Sequence, residues 1–180
     1  MPLAFLYPYY TQFHRLIVDI CGKSDVGLVR QHNEDSYLYG NLETGEQSTP
    51  TDPGSLRIER GPAVLIVADG VGGAASGELA SSIATDCIFT ELQKWWRTGG
   101  ERDAETIAAA MRGAIDVANQ SIWGKAQGFP AHHGMGTTAT IALIVNSEVH
   151  FGQIGDSRGY LIRDGRARQL TKDQSLVQRL

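Results

Sequence analysis

The segment AVLIVADGVGGAASGE, residues 63–78, constrains the rest of the chain more than any other. Its six opening apolar residues form a short continuous run, which suits a strand buried on both faces. An aspartate, Asp69, closes the run, glycines follow, and a helical pattern begins at Ala74. Gly70, Gly72 and Ala75 fit the relaxed G-x-G-x-x-A pattern that seats a pyrophosphate on a helix N-terminus. Asp69, however, would face the phosphates. A dinucleotide unit also needs a second parallel strand after the helix, with an acidic residue about 20 positions beyond the glycines. That position falls near Glu91, inside helix-like ELQKWW, and a second helix follows, so the nucleotide reading fails. Two readings of Asp69-Gly70 stay open. A carboxylate at a rigid strand end, beside a glycine carbonyl that no side chain shields, can bind a hard cation through oxygen. Alternatively the pair is a plain turn, with Asp69 capping the next helix.

A chain of 180 residues with 42% apolar content suits one domain with a sizeable core. A net charge of -4 provides no basic field, which argues against nucleic acid as a partner. Two cysteines, Cys21 and Cys87, are too few for a disulfide framework, and their apolar contexts predict buried thiols in a reducing compartment. The opening MPLAFLYPYYTQFHRL lacks a basic region and is interrupted by Pro2 and Pro8, so it makes a poor export signal. Residues 1–15 read as a loose leader. No stretch approaches the ~18 apolar residues of a membrane helix, and the expectation is a cytoplasmic protein with no membrane partner.

LIVDICGKSDVG, from residue 16, predicts a strand leading into a loop, and the polar, proline-containing stretch from Gly40 to Gly61 predicts a surface loop. Helices are expected over Ala74–Trp96, where Leu79, Ile83, Leu92 and Trp95 recur at helical spacing, and over Asp103–Ala126, along Ile107, Met111 and Ile122. TTATIALIV and EVHFGQI predict strands separated by Asn146 and Ser147; GYLIR and RARQL predict a hairpin about Asp164-Gly165; TKDQSLVQRL predicts the start of another helix. Two consecutive helices and then a meander of strands indicate α+β layers, not alternating βαβ units.

Four further segments carry chemistry. SDVGLVRQHNEDS gathers Arg30, Glu34 and Asp35; GMGTTAT is a glycine-rich lead into a strand; GQIGDSRGYLIRDG sets Asp156 in a tight turn; LTKDQS follows. With V-A-D-G-V-G-G at 67–73, these resemble the metal-dependent protein phosphatase family of the protein phosphatase 2C type, through R-x-x-x-E-D, G-x-G-T-T-A, G-D-S-R and L-T-x-D-x-S. The resemblance spans about residues 16–180. It implies an α+β fold, a β-sandwich flanked by α-helices in α-β-β-α layers, and hydrolysis of phosphoserine and phosphothreonine on proteins.

It also implies two Mg²⁺ or Mn²⁺ ions, which the oxygen-rich residues suit and which the dispersed histidines would not convert to zinc. By resemblance Asp69 bridges both ions, the Gly70 carbonyl ligates one, Glu34 reaches that same ion and Asp35 supports it. A water bridging the ions attacks phosphorus, and Arg30 holds the phosphate oxygens through its fork. Asp156 resembles the ligand of a third, weaker site in bacterial members, and Arg158 braces that loop or forms a structural ion pair. Ser157 has no histidine-acid partner spaced to activate it and is not expected as nucleophile.

Two departures stand out. Val71 replaces the histidine that animal members often carry after Asp-Gly, while His32, His132 and His133 offer no evident substitute and the last two read as a polar loop. The family also draws metal-ligating aspartates from later D-G and D-N segments. After Asp156 only Asp164 and Asp173 remain, and neither matches by motif. The expectation is a bacterial-type serine/threonine phosphatase domain over 16–180, incomplete at its C-terminus and lacking the closing strands, acting on phosphoproteins made by a bacterial serine/threonine kinase. The alternative is an inactive phosphatase-like module that binds a phosphoprotein or a regulatory partner.

Overall fold

The computed structural model describes residues 16–52 and 54–174. Its centre is β5 (Ala63–Val71), the strand that the apolar run predicts, extended to include Asp69 and Gly70. On one side it pairs in antiparallel register with β2 (Asp35–Asn41), which carries the two-residue β3 (Gln47–Ser48). On the other it pairs with the short β6 (Gly136–Thr137) and with β7 (Ala139–Val145), and β7 pairs with β8 (Glu148–Ile154). The order across this sheet is β3-β2-β5-β7-β8, with β6 on the end of β5. A second, two-stranded sheet joins β1 (Val18–Cys21) to β4 (Ser55–Ile58). β9 (Tyr160–Arg163) and β10 (Arg166–Gln169) form a separate hairpin. Its turn residues Asp164 and Gly165 have φ of 52° and 71°, the positive values that a two-residue hairpin needs.

Successive side chains on a strand point to opposite faces, and this separates two cores. Leu38, Val64, Ile66, Ala68, Ile141 and Leu143 face the helices and are sealed from solvent. α1 (Ala74–Arg97) lays Ala80, Ala84, Ile88 and Leu92 on them, and α2 (Ala104–Gly128) adds Ile107, Met111, Ala114 and Ala118. Each fully buried aliphatic side chain of this kind contributes roughly 1.5–3 kcal/mol relative to exposure. α2 starts where Asp103 accepts a hydrogen bond from the Thr106 N–H at 2.8 Å, a side-chain N-cap. On the opposite face Tyr37, Tyr39 and Ala63 meet Ile20, Leu56 and Ile58 of the small sheet. The fold is α+β, with helices on one face of the main sheet and a second sheet on the other.

Three expectations need correction. Gly40–Gly61 is not one surface loop: it holds the end of β2, all of β3 and β4, and the buried Leu56 and Ile58. Cys21 is exposed, because the alternation that turns Ile20 inward turns its neighbour outward, and Cys87 is half-buried. Residues 171–174 are not helical, and the rest of the helix expected from TKDQSLVQRL, like the expected leader, lies outside the described residues.

Candidate metal centre

The β2–β5 register sets Asp35 directly opposite Asp69. Directly opposed residues share a face, so both carboxyl groups project from the same face of the sheet at its end. The closeness registers in Asp35, which is exposed but whose carboxyl is held above its usual range by partial desolvation first and then by the charge and hydrogen bonding of Asp69. Arg30, exposed beyond the turn at residues 27–29, opposes that rise, and Glu34 adds slightly to it. Asp69 does not cap α1: the N-cap is Gly73, with no side-chain cap bond. The plain-turn reading of Asp69-Gly70 is thereby removed.

The backbone around this pair is drawn together by two close approaches. Gly70 N–H donates to the Glu34 carbonyl at 3.1 Å, and Ser81 Oγ donates to the same carbonyl at 2.7 Å, so α1 and β5 share one anchor. A Cβ on Gly70 would lie 2.1 Å from the Gly77 carbonyl oxygen. Glu34 itself points toward α1: a Cβ on Gly77 would lie 2.0 Å from Glu34 Oε2. Its carboxylate therefore packs on the first turns of α1, beside the Asp35–Asp69 pair and not within it. Among the described residues no three acidic, histidine or cysteine side chains gather closely enough to cage an ion.

The other side of Asp69 is held by the GMGTT segment. Thr138 N–H donates to the Asp69 carbonyl at 2.9 Å, and Thr137 Oγ1 donates to the same oxygen at 3.0 Å. Asp69 N–H donates to Thr138 Oγ1 at 3.0 Å. Thr138 Oγ1 lies 2.7 Å from Ser157 Oγ, in the Gly155–Ser157 turn that carries the exposed Asp156. That turn is clamped from behind by LTKDQS. Gln174 N–H donates to the Gly155 carbonyl at 2.9 Å, and the Arg158 guanidinium donates to buried Asp173, whose carboxyl is held low chiefly by that bond. Arg158 thus forms the structural ion pair, bracing the turn through Asp173.

The structure brings Asp35 and Asp69 together, holds Gly70 beside them, sets Arg30 within electrostatic reach, and ties the Asp156 turn to the same strand end. Sequence reasoning passes over Thr138 and Ser157 as structural parts; their signal is the register that puts Thr138 opposite Asp69. Val71 is exposed, as is His32, and neither closes over the pair. His132 lies 3.2 Å from Ser76 Oγ, fastening its loop to α1 as a polar contact. A cleft of about 540 Å³ lies between α2 and β8, and Asp35 borders two smaller ones, of about 340 and 280 Å³.

The donor set suits a hard divalent ion. Two carboxylates repel one another at the strand ends, a glycine main chain lies beside them, and every donor is oxygen. The family described as Protein phosphatase 2C matches residues 45–176. The serine/threonine phosphatase stp of Listeria monocytogenes is 34% identical over 158 residues, 88% of this chain and 55% of that protein. The serine/threonine protein phosphatase PstP of Mycobacterium tuberculosis is 32% identical over 92% of this chain and 27% of its own length. The chain thus spans about half of the one and a quarter of the other. A solved structure of the PstP catalytic domain in complex with two manganese ions matches with a TM-score of 0.65 and 33% identity, covering 91% of this chain and 58% of that one. The Streptococcus agalactiae serine/threonine phosphatase matches with a TM-score of 0.67 and 27% identity, over 91% and 59%.

Proposed function

The chain belongs to the protein phosphatase 2C family, and from that premise we propose that it forms part of a Mg²⁺- or Mn²⁺-dependent phosphatase acting on phosphoserine and phosphothreonine in proteins. The observation that carries the reading is the opposed pair Asp35 and Asp69, with Arg30 in electrostatic reach. In this reading Asp69 and the Gly70 carbonyl hold the ions, with Asp35 and Glu34 in support and a weaker site at Asp156. When bound, such ions neutralise phosphoryl charge and make water nucleophilic near neutral pH.

The chain's own residues do the rest. Arg30 orients the phosphate through a charged fork that lysine could not reproduce. Thr137 and Thr138 fix the peptide on either side of Asp69, so its carboxylate is aimed by main-chain bonds instead of by its own rotamer alone. Like-charge repulsion between Asp35 and Asp69 keeps the pair poised to take up a cation. Phosphoproteins made by a bacterial serine/threonine kinase in the cytoplasm are the proposed substrates.

The test is hydrolysis of a phosphothreonine peptide by the complete protein that contains these residues. Turnover should require Mn²⁺ or Mg²⁺ and stop with EDTA. Asp69→Asn should lower it roughly a hundredfold or more, since an amide replaces preorganised charge at the reacting centre. Arg30→Ala should cost about 1.5–3 kcal/mol in phosphosubstrate recognition while Mn²⁺ still binds. Turnover that survives exhaustive chelation would sink the metal-dependent reading.

A further inference from the structure

Thr138 occupies an unusual place in the ladder. Between the pairs Val67↔Thr140 and Gly70↔Thr137 it stands opposite Asp69, but the two residues exchange one main-chain bond and one side-chain bond. The Asp69 N–H points to Thr138 Oγ1, and that hydroxyl continues to Ser157 Oγ. A hydroxyl can accept two hydrogen bonds and donate one, so Thr138 can serve both neighbours whichever way the Thr138–Ser157 bond runs. Ser157 is fixed in turn at its main chain: its carbonyl accepts from Thr140 Oγ1 at 3.2 Å and from Gln153 Nε2 at 3.0 Å. The Thr138 methyl completes the contact. A Cβ on Gly155 would lie 2.6 Å from Thr138 Cγ2, so the methyl presses on the backbone just before Asp156.

We propose that Thr138 and Ser157 are positioning residues, forming a two-hydroxyl link that ties the strand end carrying Asp69 to the turn carrying Asp156. The link sets the separation of the two carboxylates before any ligand arrives. Linked hydroxyls of this kind strengthen one another, so loss of either partner is felt by the other's remaining bond. The significance of the link for ion binding rests on the phosphatase reading; the link itself does not.

The test follows the Asp69 amide by hydrogen exchange in the chelator-treated protein, in Thr138→Val, Ser157→Ala and the double variant. Valine keeps the shape and the methyl contact and removes only the hydroxyl. Thr138→Val should speed exchange of the Asp69 amide on the order of tenfold, the loss of about one hydrogen bond. Ser157→Ala should speed the same amide although Ser157 does not touch Asp69, and the double variant should be no faster than Thr138→Val alone. Thr138→Ser should restore protection, and the amides of Ile66 and Leu143 should stay protected throughout. An Asp69 amide unmoved by Ser157→Ala, or effects that multiply in the double variant, would overturn the link; Ser157→Ala decides the matter even if Thr138→Val fails to fold.

Calorimetry with Mn²⁺ supplies the second arm. Both single variants should weaken binding several-fold, and unchanged affinity in both would overturn the positioning role. Wild-type protein that takes up no Mn²⁺ would count against the phosphatase reading, leaving the exchange result to stand for the link.

Discussion

Asp35 shows how a single side chain can carry the cost of a site. Its carboxyl titrates above the ordinary value of 3.8 because partial desolvation and the neighbouring Asp69 both disfavour its charge, an effect that solvent moderates at this exposed strand end. An acid whose folded pKa is raised binds protons more tightly in the native state than in the unfolded one. Its contribution to stability is therefore complete below the ordinary value and is lost as pH rises through the folded value. In chelator, Asp35→Asn should thus gain stability over wild type progressively as pH climbs out of the acid range, a difference that thermal melts across the range would measure. Saturating Mn²⁺ should reverse the ranking, since the wild-type pair then has a counter-cation and asparagine weakens it. A pH-independent difference in chelator would show that Asp35 and Asp69 do not repel. The residue types at this site were legible in the sequence as acids in glycine-rich or charged turns. Their opposition was not, because it depends on the register of two strands whose pairing no local pattern states. The same gap hid Thr138, which reads as one threonine among several until Asp69 is placed across from it.

At the scale of elements, the long periodic helices were the most legible: α1 and α2 begin and end within two residues of the stretches that their apolar spacing marks. The strands on the other side were harder. β2 follows a charged loop and is buried on both faces, with Tyr37 and Tyr39 on one and Leu38 on the other, so its alternation is masked. β4 is four residues long, and its identity comes from pairing with β1. The approach of α1 to β5 is set by two glycines whose roles differ. At Gly70 a Cβ would meet main-chain atoms of Gly77, which cannot move without moving the helix. At Gly77 it would meet the Glu34 carboxyl end, which can rotate away, and also Glu34 Cβ at 3.1 Å, which must give by a few tenths of an ångström. Gly70→Ala should therefore cost about 1–3 kcal/mol or more, as an overpacked core does. Gly77→Ala should cost less than Gly70→Ala, because alanine's helix propensity, worth up to about 1 kcal/mol over glycine, offsets part of the cost of moving Glu34. Urea unfolding of both variants checks the contrast, and equal losses would mean that the Glu34 side chain is as fixed as backbone.

The molecule as a whole covers its two sheet faces unequally. Among the described residues, helices α1 and α2 seal one face, whereas on the other the β1–β4 sheet covers β2, part of β5 and Ile144 of β7. Val149 pairs across from Ile144 and Phe151 from Ala142, so both project from the second face, and they remain 52% and 38% exposed. Val67 on the same face is 48% exposed, and among the described residues no strand pairs with the outer edge of β8. An exposed apolar strip beside a free strand edge invites pairing with another chain. The 180-residue chain should therefore self-associate with rising concentration. Lysine at both positions should suppress this, because charge on an edge strand opposes edge-to-edge pairing. The fold should survive at a modest cost: both positions are exposed, and the Phe151 ring gives up its packing against Gly159. Sedimentation velocity of the wild type and of the Val149→Lys/Phe151→Lys variant reads the effect directly, with circular dichroism confirming equal strand content. A wild-type chain that stays monomeric at high concentration would mean that the exposed face is too small or too curved to pair. Association undiminished in the double variant would place the contact elsewhere, at the β9–β10 hairpin or the cleft between α2 and β8.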